Sequence, residues 1–341
     1  MYKNSLKKNN ETPEKDISVI IQSYNRPDFL YEAIQSVLSQ ETEYNIELIV
    51  VKNYYDLKVD ELLNSVGAIN IKSEDDTFLG KIMEGLSHST AKVVSFLDDD
   101  DLFTKEKVQT VVDEFHLNPR LIYYHNFFDE IDVSGNIRQS VLMKPSKDDV
   151  LINTSNTKKN KQKELYYFYS FYNTSSISIR KNEFMAYFNK HSEFRAKPLD
   201  SNFFLSACAS GFDIKISNRV LNLYRLHGNN ITFNSKNPQD IEYLRKDLDR
   251  QETMENIHKG KFVYPLIQAS RLDTLFISFF SKYNVMKPKF GDYILFAYFS
   301  FKRRNLVQFI LISMLYFGLI SRTQMAEIQE SRTKKRTYFT N

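Results

Sequence analysis

The 341-residue sequence holds one cysteine, nine glycines and no tryptophan. The lone Cys208 excludes an internal disulfide and any zinc site built wholly from cysteines. Its apolar neighbours read as surroundings for a buried, inert thiol, in keeping with a reducing compartment. No glycine-rich phosphate loop stands early in the chain, no serine or cysteine triad signature occurs, and no fixed-period repeat recurs. Met1 to Asp16 is polar and lysine-rich, without the apolar core of a secretory signal. It reads as a tail, and a cytoplasmic location is expected, with the cytoplasmic membrane face as an option. No apolar run reaches the ~20 residues that span a bilayer. The net charge is +4. Its basic clusters at Lys7-Lys8, Lys158 to Lys161, Lys302 to Arg304 and Lys334 to Arg336 form no spaced stripe and match no nucleic-acid motif, so nucleic acid is not an expected partner.

Apolar residues make up 42% of the chain, with 27 Phe and 21 Tyr, which suffices for a full core. Ile17 to Gln22 is a β-branched run that reads as a buried strand. Phe29 to Ser39 repeats its apolar residues at helical spacing, with Asp28 as the expected N-cap. Strands are expected at Ile46 to Val51, Ala68 to Ile71, Val93 to Leu97 and Arg120 to His125. Helices are expected at Val59 to Val66, Gly80 to Ser87 and Lys105 to Leu117. This alternation predicts an α/β fold with a mostly parallel sheet flanked by helices. Ser146 to Lys163 reads as a mobile surface loop, Phe168 to Arg180 as strand and Asn202 to Ala209 as helix.

Asp98, Asp99, Asp100 and Asp101 directly follow the apolar run Val93 to Leu97. A buried strand ending in carboxylates delivers them to the sheet edge where α/β ligands bind. Their mutual repulsion calls for a compensating cation, and hard divalent ions take carboxylate oxygens. A solvated acidic loop or a helix start is the alternative reading. Ahead of this, the loop after the first strand runs Ser23-Tyr24-Asn25-Arg26-Pro27. Tyr24 can stack on a base, while Asn25 and Arg26 offer donors to ribose or phosphate. Thr77-Phe78-Leu79-Gly80-Lys81 opens the helix before the tetrad. There Gly80 permits close backbone approach and Lys81 suits a diphosphate, the alternative being a glycine turn with a surface lysine. Later come Phe171 to Arg180, Pro198-Leu199-Asp200-Ser201 before an apolar helix, and Tyr224-Arg225-Leu226-His227-Gly228-Asn229-Asn230.

In this order the segments, spanning Ile17 to Ile231, resemble the family 2 glycosyltransferases of the GT-A fold. The resemblance implies a GT-A-type, Rossmann-like mixed sheet with a helical C-terminal extension. It implies a metal-dependent, inverting transfer from a nucleotide-sugar donor, a UDP-sugar first among the candidates, to a glycan or lipid-linked acceptor. Asp100 and Asp98 would hold Mg²⁺ or Mn²⁺, His227 would complete that site, and Asp200 would be the catalytic base. Tyr24, Asn25, Arg26, Asn53, Gly80, Lys81, Asp98 and Asp99 would line the donor site, with Ser175 and Ser176 on the acceptor side. Asp101 is expected to cap the following helix, and Arg225 or Asn230 to meet phosphate. Two departures from the pattern stand out. Lys52-Asn53-Tyr54-Tyr55-Asp56 lacks the usual acid after the second strand, and Leu199 replaces the Glu that usually precedes Asp200.

The expected division is a tail over 1–16, a GT-A domain over 17–233, a helical region over 234–330 and a basic tail over 331–341. The apolar stretches Gly291 to Phe301 and Leu306 to Ile320 have two readings, a packed helical hairpin or a peripheral membrane anchor. Three alternatives to transfer remain. The first is a degenerate relative that binds a glycan or partner without catalysis. The second, a sugar nucleotidyltransferase, lacks its phosphate loop here. The third, a phosphatase using Asp98 and Asp100, lacks the hydroxyl residue it needs at position 102.

Overall fold

A computed structural model describes residues 14–25, 27–138, 148–155, 172–191, 199–227, 241–280, 288–302, 306–321 and 323–324. Four parallel strands form one half of the sheet: β1 (Ile17–Ser23), β2 (Ile46–Lys52), β3 (Ile69–Lys72) and β4 (Val93–Asp98). The full order is β3-β2-β1-β4-β9-β6-β10-β5, with β5 at Leu102–Phe103, β6 at Leu121–Ile131, β9 at Ile177–Arg180 and β10 at Asp213–Arg225. The short strands β7 (Ile137–Arg138) and β8 (Val150–Asn153) pair with β6 and β10. β9 runs antiparallel between β4 and β6, and β10 lies parallel to β6.

Every residue of β1 is buried, as expected of a central strand covered on both faces. Its alternating side chains feed two cores. Ile20, with Val51 and Phe96, packs on one face. Val19 and Ile21, with Val50 and Leu97, pack on the other. The parallel register aligns Gln22 with Val51 and Asp98, so the loops after β1, β2 and β4 leave the sheet at one level.

Helices α1 (Leu30–Leu38), α2 (Leu57–Ser65), α3 (Phe78–His88) and α4 (Lys107–Leu117) fill the crossovers. On α3, Gly85 lets the helix sit close to β1, because a β-carbon there would lie 2.6 Å from Ile20 Cγ2. Next come α5 (Lys181–Lys190) and α6 (Leu199–Ala209). The remaining helices are α7 (Ile241–His258), α8 (Tyr264–Phe280), α9 (Phe290–Lys302) and α10 (Leu306–Tyr316). One apolar cluster runs from Ile20 and Phe96 through Phe203 of α6 to Phe276 of α8 and Phe296 of α9. α9 and α10 pack as the hairpin reading expects. Tyr293 stacks on Tyr316 at 4.7 Å and its hydroxyl donates to Ser313 Oγ at 2.9 Å. Among the described residues no helix is long and apolar enough to cross a membrane.

Several local expectations are corrected. α1 starts behind Phe29 without a side-chain cap, so Asp28 does not cap it. β6 continues to Ile131, six residues past the expected end at His125. Within 146–163, read as loop throughout, Val150–Asn153 pairs with β10. Of the strand expected over 168–180, only Ile177–Arg180 forms, behind a 3₁₀ turn at Thr174–Ser176, and 168–171 lie outside the described residues.

Gly85→Val is expected to force α3 off β1 and to destabilise the protein by about 1–3 kcal/mol. Urea unfolding of the variant against the parent checks this; an unchanged midpoint contradicts the packing.

Candidate active site

The shared register makes one edge of the sheet a platform, and its loops are tied to one another. The Asn25 N–H donates to Asn53 Oδ1 at 3.1 Å, and Asn53 Nδ2 donates to Asp76 Oδ1 at 3.0 Å. Asn25 takes a left-handed φ of 50°, which asparagine tolerates better than most residues. Tyr24 stays half exposed, with Lys81 Nζ 4.8 Å from its ring centroid. The Lys81 ammonium donates to Asp75 O at 2.7 Å, and burial pulls its pKa down against the raising effect of Asp76 and Asp75. The absent side chain of Gly80 leaves room for the Asp75 carboxylate, which lies 2.0 Å from where a β-carbon would be. That carboxylate accepts from the Thr77 N–H at 2.7 Å and the Thr77 hydroxyl at 2.6 Å. Arg26 lies outside the described residues.

Lys52, in place of the usual acid, is buried and turns away from this platform. It pairs with Asp60 at 2.8 Å and donates to Tyr54 O at 2.9 Å. Asp56 caps α2 by accepting from the Val59 N–H at 3.1 Å.

The four aspartates diverge sharply in environment. Asp99 is buried and accepts from Ser23 Oγ at 2.5 Å, and Ser23 Oγ meets Tyr54 OH at 2.7 Å. Asp98, Asp100 and Asp101 converge, each offering an oxygen within 4.8 Å of the others. Asp101 is fully buried and accepts from Ser175 Oγ at 2.6 Å and from the Arg225 N–H at 3.0 Å. It is therefore not the cap of α4, which starts behind Glu106. Burial, then the charges of Asp100 and Asp98, push its carboxyl well above the usual carboxylate range. The same Ser175 oxygen accepts from the Asp98 N–H at 3.0 Å. His227 Nε2 lies 2.9 Å from Asp100 Oδ2.

Arg225 has no exposure, and its donors are directed inward rather than at a phosphate site. Nε donates to Asp100 O at 2.9 Å, one terminal nitrogen to Glu32 Oε2 at 2.7 Å, and the other to Val133 O at 3.1 Å. The guanidinium lies 4.4 Å from the Phe29 ring centroid. Asn230, the alternative phosphate contact, lies outside the described residues.

The turn carrying Ser175 also reaches Asp200. Asn173, at φ 74°, accepts from the Ser175 N–H at 2.8 Å, and its own backbone N–H bonds the Asp200 carboxylate. Asp200 lies in the first turn of α6 and accepts from the Ser201 N–H at 2.6 Å. Burial pushes it up to about 6 despite these donors. Ser175 and Ser176, expected on the acceptor side, are fully buried. Ser176 Oγ donates to Asn222 Oδ1 at 2.9 Å, and Asn126 Nδ2 donates to the same oxygen at 2.6 Å. Lys107, which donates to Asn126 Oδ1, is fully buried, and burial brings it down to about 7.

The donor set fits a hard divalent cation. Three convergent carboxylates supply oxygens and one of them must otherwise keep its proton. Asp98 and Asp100 are its first candidates, with His227 beside Asp100. Sequence reasoning missed Ser23, Tyr54, Asp76, Asn173 and Lys107. The Asp75-Asp76-Thr77 run ahead of α3 is a readable helix-start signal. The other four act through contacts distant in sequence and leave no local mark.

The model of the family described as Glycosyl transferase family 2 matches residues 18–188, half of the chain. An uncharacterized glycosyltransferase of Rickettsia felis is 30% identical over 131 residues, 37% of this chain and 21% of that protein. One from a Nostoc species is 31% identical over 125 residues, 34% of this chain and 37% of that protein. The match thus spans about a fifth of the Rickettsia relative's length. Among solved structures, Staphylococcus aureus TarS 1-349 superposes with a TM-score of 0.56 at 14% identity, covering 89% of this chain and 92% of that one. Its complex with UDP-GlcNAc gives 0.54 at 13%, covering 83% and 79%. At such identities the likeness is one of fold.

Ser175→Ala removes the hydroxyl that joins Asp98 to Asp101. It is expected to weaken Mn²⁺ binding by roughly 10–100-fold, as loss of an outer-shell partner does. Titration calorimetry with Mn²⁺ checks this, and equal affinity in a folded variant contradicts the assignment.

Proposed function

The chain belongs to glycosyl transferase family 2, and from that footing we propose that it moves a sugar from a nucleotide-sugar donor to an acceptor hydroxyl in one inverting displacement. The observation that carries this reading is the turn at Asn173–Ser176. It bonds Asp200 on one side and the Asp98–Asp101 cluster on the other, although the two groups lie about a hundred residues apart in sequence. A base and a diphosphate-side cluster flanking one turn suit in-line attack at an anomeric carbon.

Asp200 takes the acceptor proton as the hydroxyl oxygen attacks, and the bond to the nucleoside diphosphate breaks on the opposite face. Its pKa of about 6 suits a base working near neutrality. Asp98 and Asp100, with His227, would hold Mg²⁺ or Mn²⁺. Such an ion, when bound, neutralises charge growing on the leaving diphosphate. Tyr24, Asn25, Asn53 and Asp76 form the base side of the donor pocket, where an amide and a carboxylate suit a uracil edge. A UDP-sugar is the donor proposed, in keeping with the UDP-GlcNAc bound by TarS. Lys81, beneath Tyr24, faces the diphosphate. The acceptor proposed is a glycan or lipid-linked glycan.

The catalytic unit is taken to be 17–233 and the helical region 234–330. We extend the reading to peripheral membrane contact, because α9 exposes Phe290, Ile294 and Tyr298 at four-residue spacing. Sedimentation of the full chain with anionic vesicles tests that contact, and Ile294→Glu is expected to reduce it. Equal partition of the two proteins removes it.

Asp100→Ala is expected to abolish metal-dependent binding of UDP-GlcNAc, whereas Asp200→Asn keeps donor binding and loses transfer. Calorimetry and a product assay separate the two, and normal transfer by Asp200→Asn refutes the base. Because the base acts ionised, the transfer rate should rise with pH through about 6 and level off above it. Folded Asp200 holds its proton more tightly than an unfolded aspartate at about 3.9. Its contribution to stability therefore falls as pH rises between about 4 and 6.

A further inference from the structure

Nothing local favours a lysine at position 107. Lys107 opens α4, where the helix dipole opposes a cation, and it has no exposure. Among the described residues it pairs with no carboxylate. Its ammonium donates to Asn126 Oδ1 and, at 3.4 Å, to Ser175 O, with the Phe103 ring centroid 5.1 Å away. Burying an ammonium without a counter-charge is costly, and burial brings this one down to about 7. What the ammonium holds accounts for its place.

His125 of β6, also buried, holds the other end of the same turn. Its Nε2 lies 2.9 Å from Tyr172 O, and because a carbonyl only accepts, that nitrogen carries the proton. Burial lowers the ring to about 3 against the raising effect of this bond, so it stays a neutral donor near neutrality. Two buried donors thus pin carbonyls on either side of Asn173. Its φ of 74° is one that an L-residue adopts only where its surroundings impose it. A third tie, from Ser176 Oγ to Asn222 Oδ1 at 2.9 Å, closes the turn. The pinned backbone then presents the Asn173 N–H to Asp200, and Ser175 Oγ to the Asp101 carboxylate and the Asp98 N–H.

We propose that Lys107 and His125 are positioning residues, a clamp that sets the base and the diphosphate-side carboxylates through one turn. For what the turn serves, the proposal rests on the transferase reading. The clamp itself is tested without turnover.

The Ser201 N–H donates to Asp200 Oδ1 at 2.6 Å, so its amide resonance in the full chain follows the titration of that carboxyl. Tyr123 of β6, a titratable neighbour of Asp200, stays protonated because burial raises it. The Asn173 N–H lowers the Asp200 pKa, so a released turn should raise the Ser201 midpoint. Lys107→Met and His125→Phe remove the donors and keep the bulk. Each is expected to raise the midpoint by about half a pH unit or more. His125→Gln, which keeps a donor near the Nε2 position, should restore it. Lys107→Met should also weaken Mn²⁺ binding about tenfold by calorimetry. On a Ser175→Ala background it should add no further loss, because both changes act through the same hydroxyl. In the parent, the His125 Nε2 proton should exchange slowly and the ring should not titrate between about pH 5 and 8, a readout that needs no variant. A titrating ring, an unmoved midpoint in the folded variants, no restoration by His125→Gln, or additive losses of Mn²⁺ affinity each overturns the clamp. No turnover of any sugar nucleotide by the parent overturns the transferase reading and leaves the clamp standing. Turnover at the parental kcat in both Lys107→Met and His125→Phe does the reverse.

Discussion

Three carboxylates crowded at the end of one strand set the terms for the rest of this molecule. Asp98, Asp100 and Asp101 converge, with Asp100 and Asp101 buried and only Asp98 partly exposed to water that could screen them. Burial first, and then the charges of Asp100 and Asp98, raise the Asp101 carboxyl well above the usual range. The surrounding architecture supplies what the cluster lacks. Ser175 joins the first and last members, Arg225 grips the backbone between the others, and His227 stands at Asp100. Each comes from more than seventy residues downstream, so the charge problem created by β4 is answered only when β9 and β10 are in place.

That requirement explains the less regular half of the sheet. β10 runs thirteen residues beside β6 with shifts in register, and its last residue is Arg225. A shorter strand would not carry the guanidinium to Asp100 O and Glu32. The 3₁₀ turn before β9 is held in a conformation that needs positive φ at Asn173, a local cost accepted where the turn must touch both Asp101 and Asp200. Beneath it, Lys107, Asn126, Asn222 and Ser176 form a buried polar layer that fixes the turn from below. The helices that follow share the apolar cluster of the sheet, in which Leu199 and Phe203 of α6 flank Asp200 in sequence.

Much of this was legible from residue order. The β-branched runs at 17–22 and 46–51 and the apolar run at 93–97 read as strands because both sheet faces are covered, which leaves no polar alternation to confuse the pattern. Four carboxylates after a buried strand read either as a cation site or as an acidic loop, and the family resemblance is what singles out Asp98 and Asp100. The weaker readings failed for definite reasons. β10 mixes Lys, Asn and Arg with apolar residues and gave no clean period. What Ser175 and Ser176 bond is not legible locally, because a hydroxyl in sequence carries no sign of its partner. Asp101 reads as a cap in sequence because its partners Ser175 and Arg225 are far away in the chain.

Local sequence alone therefore determined the parallel half of the sheet, the edge at which its loops gather and the acidic cluster they carry. These follow from burial and side-chain periodicity, which act over a few residues. The tertiary structure decided which hydroxyls are buried supports, where the Arg225 donors go and how Asp200 meets the aspartates across one turn. Those outcomes depend on long-range pairing and on desolvation, and neither has a value until the chain has closed around them.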